Sequence, residues 1–159
     1  MIILGIDPGL ATIGYGVIEK NTGRKPALKY VSCGLIETSP TEVRPERLKK
    51  INNELSRLIK KHKPNVLVME NLYFFKNLKT AIPVSQAGGV ILLTAAKNNL
   101  PVFSFTPLQV KMTVTGFGRA EKTEVQSKIK KLLGLKELPK ADDAADALAV
   151  ALTYIIKET

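Results

Sequence analysis

Three stretches of this chain place carboxylates where an isolated charge is costly. Ile2-Ile3-Leu4-Gly5-Ile6-Asp7 is an apolar, strand-like run that ends in an acid, and Pro8-Gly9 turns the chain at once. Val66-Leu67-Val68-Met69-Glu70 repeats the device, and Asp142-Asp143-Ala144-Ala145-Asp146 supplies more acids near the C-terminus. A carboxylate at the mouth of a buried strand needs a partner, because burying an unpaired charge is expensive. Gathered carboxylates need a cation. The chain has one cysteine, Cys33, and one histidine, His62, so it cannot build a His/Cys zinc cluster. An all-oxygen set suits Mg2+, with Mn2+ expected to substitute; Mg2+ keeps several waters and also binds phosphate oxygens. Two such ions about 3.5–4 Å apart activate a water and stabilise the leaving oxygen of a phosphodiester. Each acid alone has an ordinary explanation, as a turn residue, a strand-end charge or a helix N-terminal acid. Four acids that the topology brings to one place in a basic protein do not.

That topology follows from the pattern of apolar residues. Residues 2–7 read as a strand buried on both faces. Residues 14–19 and 29–38 add two strands joined by short links, an antiparallel meander. Leu48, Ile51, Leu55, Leu58 and Ile59 recur at helical spacing and predict a helix over 44–62. The strand 66–70 follows, so strand, helix and strand imply a right-handed crossover and parallel pairing. Strands 2–7 and 66–70 would then lie side by side with Asp7 and Glu70 at their carboxyl ends, the edge where open α/β sheets bind ligands.

A second helix, rich in small residues, is expected from Ala81 or Pro83 to Asn98, since proline is tolerated in a first turn. A strand at 102–105, a short helix opened by Pro107, a loop at 116–119 and a basic helix over 120–133 stopped by Gly134 complete the approach to the last helix, 141–157. There Ala145, Leu148, Leu152, Ile155 and Ile156 fall on one arc, the expected buried stripe. Asp143 and Asp146 lie roughly 60° apart on the other side, while Asp142 shares a face with Asp146 at a spacing of four. Helical geometry leaves Asp142 and Asp143 both open as the third acid. The fold class is α/β, a three-layer sandwich with a mixed five-stranded sheet, in a single domain over 1–159.

The 24 Lys and Arg against 14 Asp and Glu give a net charge of +10, a field that favours a polyanion such as nucleic acid. No apolar stretch is long enough for a membrane span, no secretory signal is apparent, and a lone cysteine suits a reducing compartment; a cytoplasmic location is expected. No Gly-x-x-x-x-Gly-Lys-[Ser/Thr] stretch occurs, which excludes a P-loop enzyme. An actin-type ATP-binding protein would need a duplicated domain that 159 residues do not supply.

Several motifs, in order along nearly the whole chain, resemble the RuvC Holliday-junction resolvases. They are Gly5-Ile6-Asp7-Pro8-Gly9 with Gly14-Tyr15-Gly16, Glu70-Asn71-Leu72-Tyr73-Phe74, Gln109-Val110-Lys111, Gly116-Phe117-Gly118 through Ala120-Glu121-Lys122, and Asp143-Ala144-Ala145-Asp146-Ala147-Leu148-Ala149. The resemblance implies an RNase H-like fold and a homodimer that nicks two like-polarity strands of a four-way DNA junction, in recombination and repair. It implies two Mg2+ ions per active site, and a branch-migration helicase complex as partner. The catalytic and metal-binding set implied is Asp7, Glu70, Asp143 and Asp146, with Asp143 selected over Asp142 by the Asp-Ala-Ala-Asp motif and Asp7 shared between the two ions. Tyr73 and Phe74 would stack on unpaired bases near the junction centre, with Lys76 beside the backbone and Lys111 and Lys122 near the scissile phosphate. Two positions depart from the family pattern: Gly88 falls in a segment that commonly carries a basic residue, and Tyr73 stands where phenylalanine is usual.

Overall fold

The structure, a computed structural model, describes residues 1–21, 23, 27–71 and 78–158, with 78–80 as backbone only. Tyr73, Phe74 and Lys76 lie outside the described residues. The elements run β1 (Ile2–Asp7), β2 (Thr12–Asn21), β3 (Ala27–Glu37), α1 (Arg44–His62), β4 (Val66–Glu70), α2 (Leu78–Lys97), β5 (Val102–Phe105), α3 (Pro107–Thr115), α4 (Lys122–Leu132) and α5 (Asp142–Lys157). The five strands form one sheet in the order β3-β2-β1-β4-β5. β1 to β3 pair antiparallel, whereas β1–β4 and β4–β5 pair parallel. The mixed sheet and the parallel β1–β4 pair are those expected from the sequence.

Alternation along the two central strands decides which way the acids face. Leu4, Ile6, Leu67 and Met69 join Ile51, Leu55, Ile59, Ala87, Ile91 and Ala95 in the core beneath α1 and α2. Ile3, Val66 and Val68 join Leu148, Ala151, Leu152 and Ile155 in the core beneath α5, which α3 and α4 extend through Val110, Val114, Val125 and Ile129. Asp7 and Glu70 have the parity of Ile3 and Val68, because successive side chains of a strand point to opposite faces. Both acids therefore belong to the α5 side. Ile6 is registered with Met69, which sets the next residues, Asp7 and Glu70, beside each other as the strands end.

Helix α5 lies unusually close to the sheet. Gly5 and Gly16 face each other across β1 and β2, and Asp7 faces Gly14. A Cβ on Gly14 would collide with the Asp143 carbonyl, one on Gly5 with the Ala147 carbonyl, and one on Gly16 would lie 2.7 Å from Leu148 Cδ2. With Asp143 above Gly14 and Ala147 above Gly5, the N-terminus of α5 stands over the carboxyl end of β1.

Three local expectations change. Helix α2 begins at Leu78, so Pro83 lies inside it rather than in its first turn; the missing N–H there forfeits one intrahelical bond. Ile156, expected on the buried stripe, is 42% exposed. Helix α5 is enclosed by the sheet on one side and by α3 and α4 on another, so Ala144, Ala145 and 147–153 are all buried and no single arc describes it. In α1, Ile51, Leu55 and Ile59 are buried as expected, with Leu48 and Leu58 partly buried beside them. Among the described residues no helix is long and apolar enough to cross a membrane.

The close approach is testable. Gly14→Ala is expected to lower stability by about 1–3 kcal/mol, the usual cost of overpacking, measured by urea denaturation. Gly89→Ala, where a Cβ meets nothing within 4 Å, is expected to be neutral or slightly stabilising.

Candidate active site

The acids of β1 and α5 meet. Asp7, Asp143 and Asp146 each present a carboxylate oxygen, and these three atoms lie within 4.8 Å of one another. Asp142 does not join them. Its Oδ2 pairs with Lys122 Nζ at 3.2 Å and its Oδ1 accepts from Gln126 Nε2 at 3.2 Å. Of the two acids that spacing alone left open, Asp143 joins the cluster and Asp142 faces Lys122 and Gln126. Ala141 precedes the first turn of α5 with no side-chain cap, and Asp142 and Asp143 stand in that turn, near the positive end of the helix.

Glu70 completes the acidic edge from the neighbouring strand. Its oxygen is not part of the close triad. With Asp146, Lys111 and Lys122 it lines a cavity of about 240 Å3 whose apolar wall includes Val110, Val125 and Ala149. Lys111 comes from α3 and Lys122 from the start of α4, so the cavity is bounded by four elements. Lys122 also lies 3.2 Å from Asp146 Oδ2. The structure thus brings together Asp7, Asp143 and Asp146, sets Glu70 beside them, and places Lys111 and Lys122 on the same opening.

The electrostatics are strained. Burial pushes the Asp7 carboxyl up to about 7, and the fields of Glu70, Asp146 and Asp143 push the same way against the weaker pull of Lys122. Asp7 is thus in the field of every other acid in the group. Burial also raises Glu70 to about 7, aided by Asp146 and opposed by Lys111. Asp146 is raised chiefly by burial, with Lys122 opposing. Burial disfavours the ammonium of Lys122, yet its bonds to Asp142 and Asp146 outweigh this and raise its pKa. Two lysines do not neutralise the group.

A divalent cation would relieve that strain, and the donors fit one. The triad is all carboxylate, without nitrogen or sulfur, a donor set that suits a hard divalent cation. Sequence reading missed Gln126 altogether. Its signal is a spacing of four from Lys122, matching that of Asp142 and Asp146 on the facing helix.

Comparison with known proteins places this geometry in a family. The family model described as crossover junction endodeoxyribonuclease RuvC matches residues 3–154. The crossover junction endodeoxyribonuclease RuvC of Caldicellulosiruptor saccharolyticus is 48% identical over 159 residues, which is 100% of this chain and 95% of that protein. That of Alkaliphilus oremlandii is 50% identical over 154 residues, covering 97% of this chain and 92% of that protein. Thermus thermophilus RuvC, solved in complex with Holliday junction substrate, superposes with a TM-score of 0.92 at 32% identity, over 99% of this chain and 94% of that one. The sheet order and its helical layers are the RNase H-like fold. With the match running through β1, β4 and α5, the elements that carry the acids, the chain belongs to the RuvC family of crossover junction endodeoxyribonucleases.

Proposed function

We propose that this chain is a single RNase H-like nuclease domain that resolves four-way DNA junctions by metal-dependent hydrolysis of two strands. The observation that carries the reading is the carboxylate triad of Asp7, Asp143 and Asp146 at the carboxyl edge of the sheet. These residues and Glu70 would hold two Mg2+ ions, with Asp7 shared, as its position in the field of the other three acids suits. Bound there, the ions supply Lewis acidity toward the attacking water and the leaving phosphodiester oxygen. The four acids orient them. Lys111, opposite Glu70 in the cavity, and Lys122 at its rim offer ammonium donors to the phosphate that enters. The net charge of +10 holds the rest of the polyanion.

Two cuts call for two sites. A homodimer supplies them, and α2 presents a face for it. Ile82, Leu92 and Leu93 are 64%, 47% and 55% exposed, and Ser85, Gln86, Gly89 and Ala96 are exposed with them. Their spacing follows one stripe of a helix, opposite the Ala87, Ile91, Thr94 and Ala95 face that is buried.

Three outcomes test the reading. Asp7→Asn and Asp143→Asn are each expected to bind a mobile four-way junction in gel-shift assays and to lose the paired nicks that wild type makes in Mg2+. Undiminished cutting would refute the assignment, and equal cutting of linear duplex would make the chain a general nuclease. The second outcome concerns pH. A carboxyl whose folded pKa is raised stabilises the fold fully below its unfolded pKa and loses that contribution as pH rises through the folded value. Metal-free wild type is therefore expected to lose Tm relative to Asp7→Asn from about pH 4 upward, with the loss nearly complete at the raised value of about 7. Adding Mg2+ at the upper end should raise the wild-type Tm much more than that of the variant. Third, Leu93→Glu should shift the sedimenting species from dimer to monomer while the monomer stays folded by circular dichroism.

A further inference from the structure

Lys122 is held from two sides. Its Nζ lies 3.2 Å from Asp146 Oδ2 and 3.2 Å from Asp142 Oδ2, and Gln126 Nε2 donates to Asp142 Oδ1 at 3.2 Å. Lys122 and Gln126 are four residues apart on α4, and Asp142 and Asp146 are four apart on α5. Each pair shares a helix face. The side chains therefore form a continuous run, Gln126 to Asp142 to Lys122 to Asp146, that reaches the acid triad only at its last member. Asp142 has no oxygen in the triad.

This run does little for the fold. The Lys122 and Asp142 side chains are 49% and 64% exposed, and ion pairs so open to water contribute little stability. Its consequence is local. Asp146 is asked to serve Lys122 and a divalent ion at once. An ammonium that leaves Asp146 with no second acceptor gives up its ion pair. One that keeps Asp142 does not.

We propose that Asp142 and Gln126 are positioning residues that hold the Lys122 ammonium at the rim of the site, so that it yields Asp146 to a divalent ion and stays beside the entering phosphate. Gln126 fixes the rotamer of Asp142, and Asp142 retains Lys122 when Asp146 turns to the metal. The inference rests on the reading of the acid triad as a metal site. It assigns Asp142, the acid that is not a ligand, a role in metal affinity exerted through a lysine.

The test is a double-mutant cycle on the full chain, read by Mn2+ binding without DNA from the loss of the free-ion electron paramagnetic resonance signal. Asp142→Asn is expected to weaken Mn2+ binding about tenfold, the low end for lost support around a metal ligand, and Gln126→Leu to weaken it less. In a Lys122→Met background neither change should have any further effect, because the competitor is gone. Asp142→Glu, which keeps the carboxylate, should recover most of the affinity. An Asp142→Asn loss that is equally large with and without Lys122 would overturn the proposal, since Asp142 would then act by its charge alone. No loss in either background would overturn it too. Urea denaturation of each variant separates a binding change from a folding defect. Absence of Mn2+ binding by wild type would instead refute the metal-site reading on which the inference rests.

Discussion

The close seat of α5 on a patch of sheet without side chains is the contact on which the site depends. Gly5 and Gly16 are paired across β1 and β2, and Gly14 is paired with Asp7. Above them stand the Ala147 carbonyl, Leu148 and the Asp143 carbonyl. Side chains at these positions would lift the helix, and the acid triad spans only 4.8 Å. A displacement of an ångström or two, small for a helix packed on a sheet, would open the group beyond what one cation can bridge. The alanines that line α5, among them Ala144, Ala147 and Ala151, are the other half of the same arrangement, since they bury fully without adding thickness. Helix, sheet and site are thus one packing problem.

Bringing the acids together costs stability that the packing must offset. Asp7 and Glu70 are both pushed to about 7 by burial and by acidic neighbours, so the charged set is unfavourable without a cation. Lys111 and Lys122 reduce this only in part. The same arithmetic reconciles an acidic pocket with a protein of net charge +10. On the proposed reading, the lysines around the opening would attract a polyanion, and the acids within would hold the counter-ion that accompanies it.

Much of this was legible in the sequence, for reasons that differ from residue to residue. Runs apolar on both faces, 2–7 and 66–70, identified the central parallel strands, because only a strand covered by helices on both sides needs no polar face. Strand order then forced Asp7 and Glu70 together. The glycines were visible only as part of a motif; nothing local in Gly14-Tyr15-Gly16 says that Asp143, 129 residues beyond Gly14, will rest on it. Asp142 and Asp143 were indistinguishable by spacing because the difference lies in Gln126 and Lys122, residues of another helix. Ile156 misled for a related reason. A one-stripe reading assumes one covering layer, and α5 has more than one.

The two lysines show how local rules serve the distant site. Helix α3 begins at a capping box in which Thr106 accepts from the Gln109 backbone and the Gln109 side chain returns to the Thr106 N–H. Lys111 follows in the next turn. Helix α4 begins where the Glu124 side chain accepts from the Glu121 N–H at 2.7 Å, with Lys122 as its first residue. A helix end without such a cap frays, and a lysine in its first turn would sweep a wide arc. Fixing both starts leaves the ammonium groups only their own rotamers to explore. Secondary-structure signals that look like ordinary helix punctuation therefore also set where positive charge stands relative to the acids. Among the described residues, both lysines that line the cavity are therefore carried by helices, Lys122 at the first residue of α4 and Lys111 near the middle of α3.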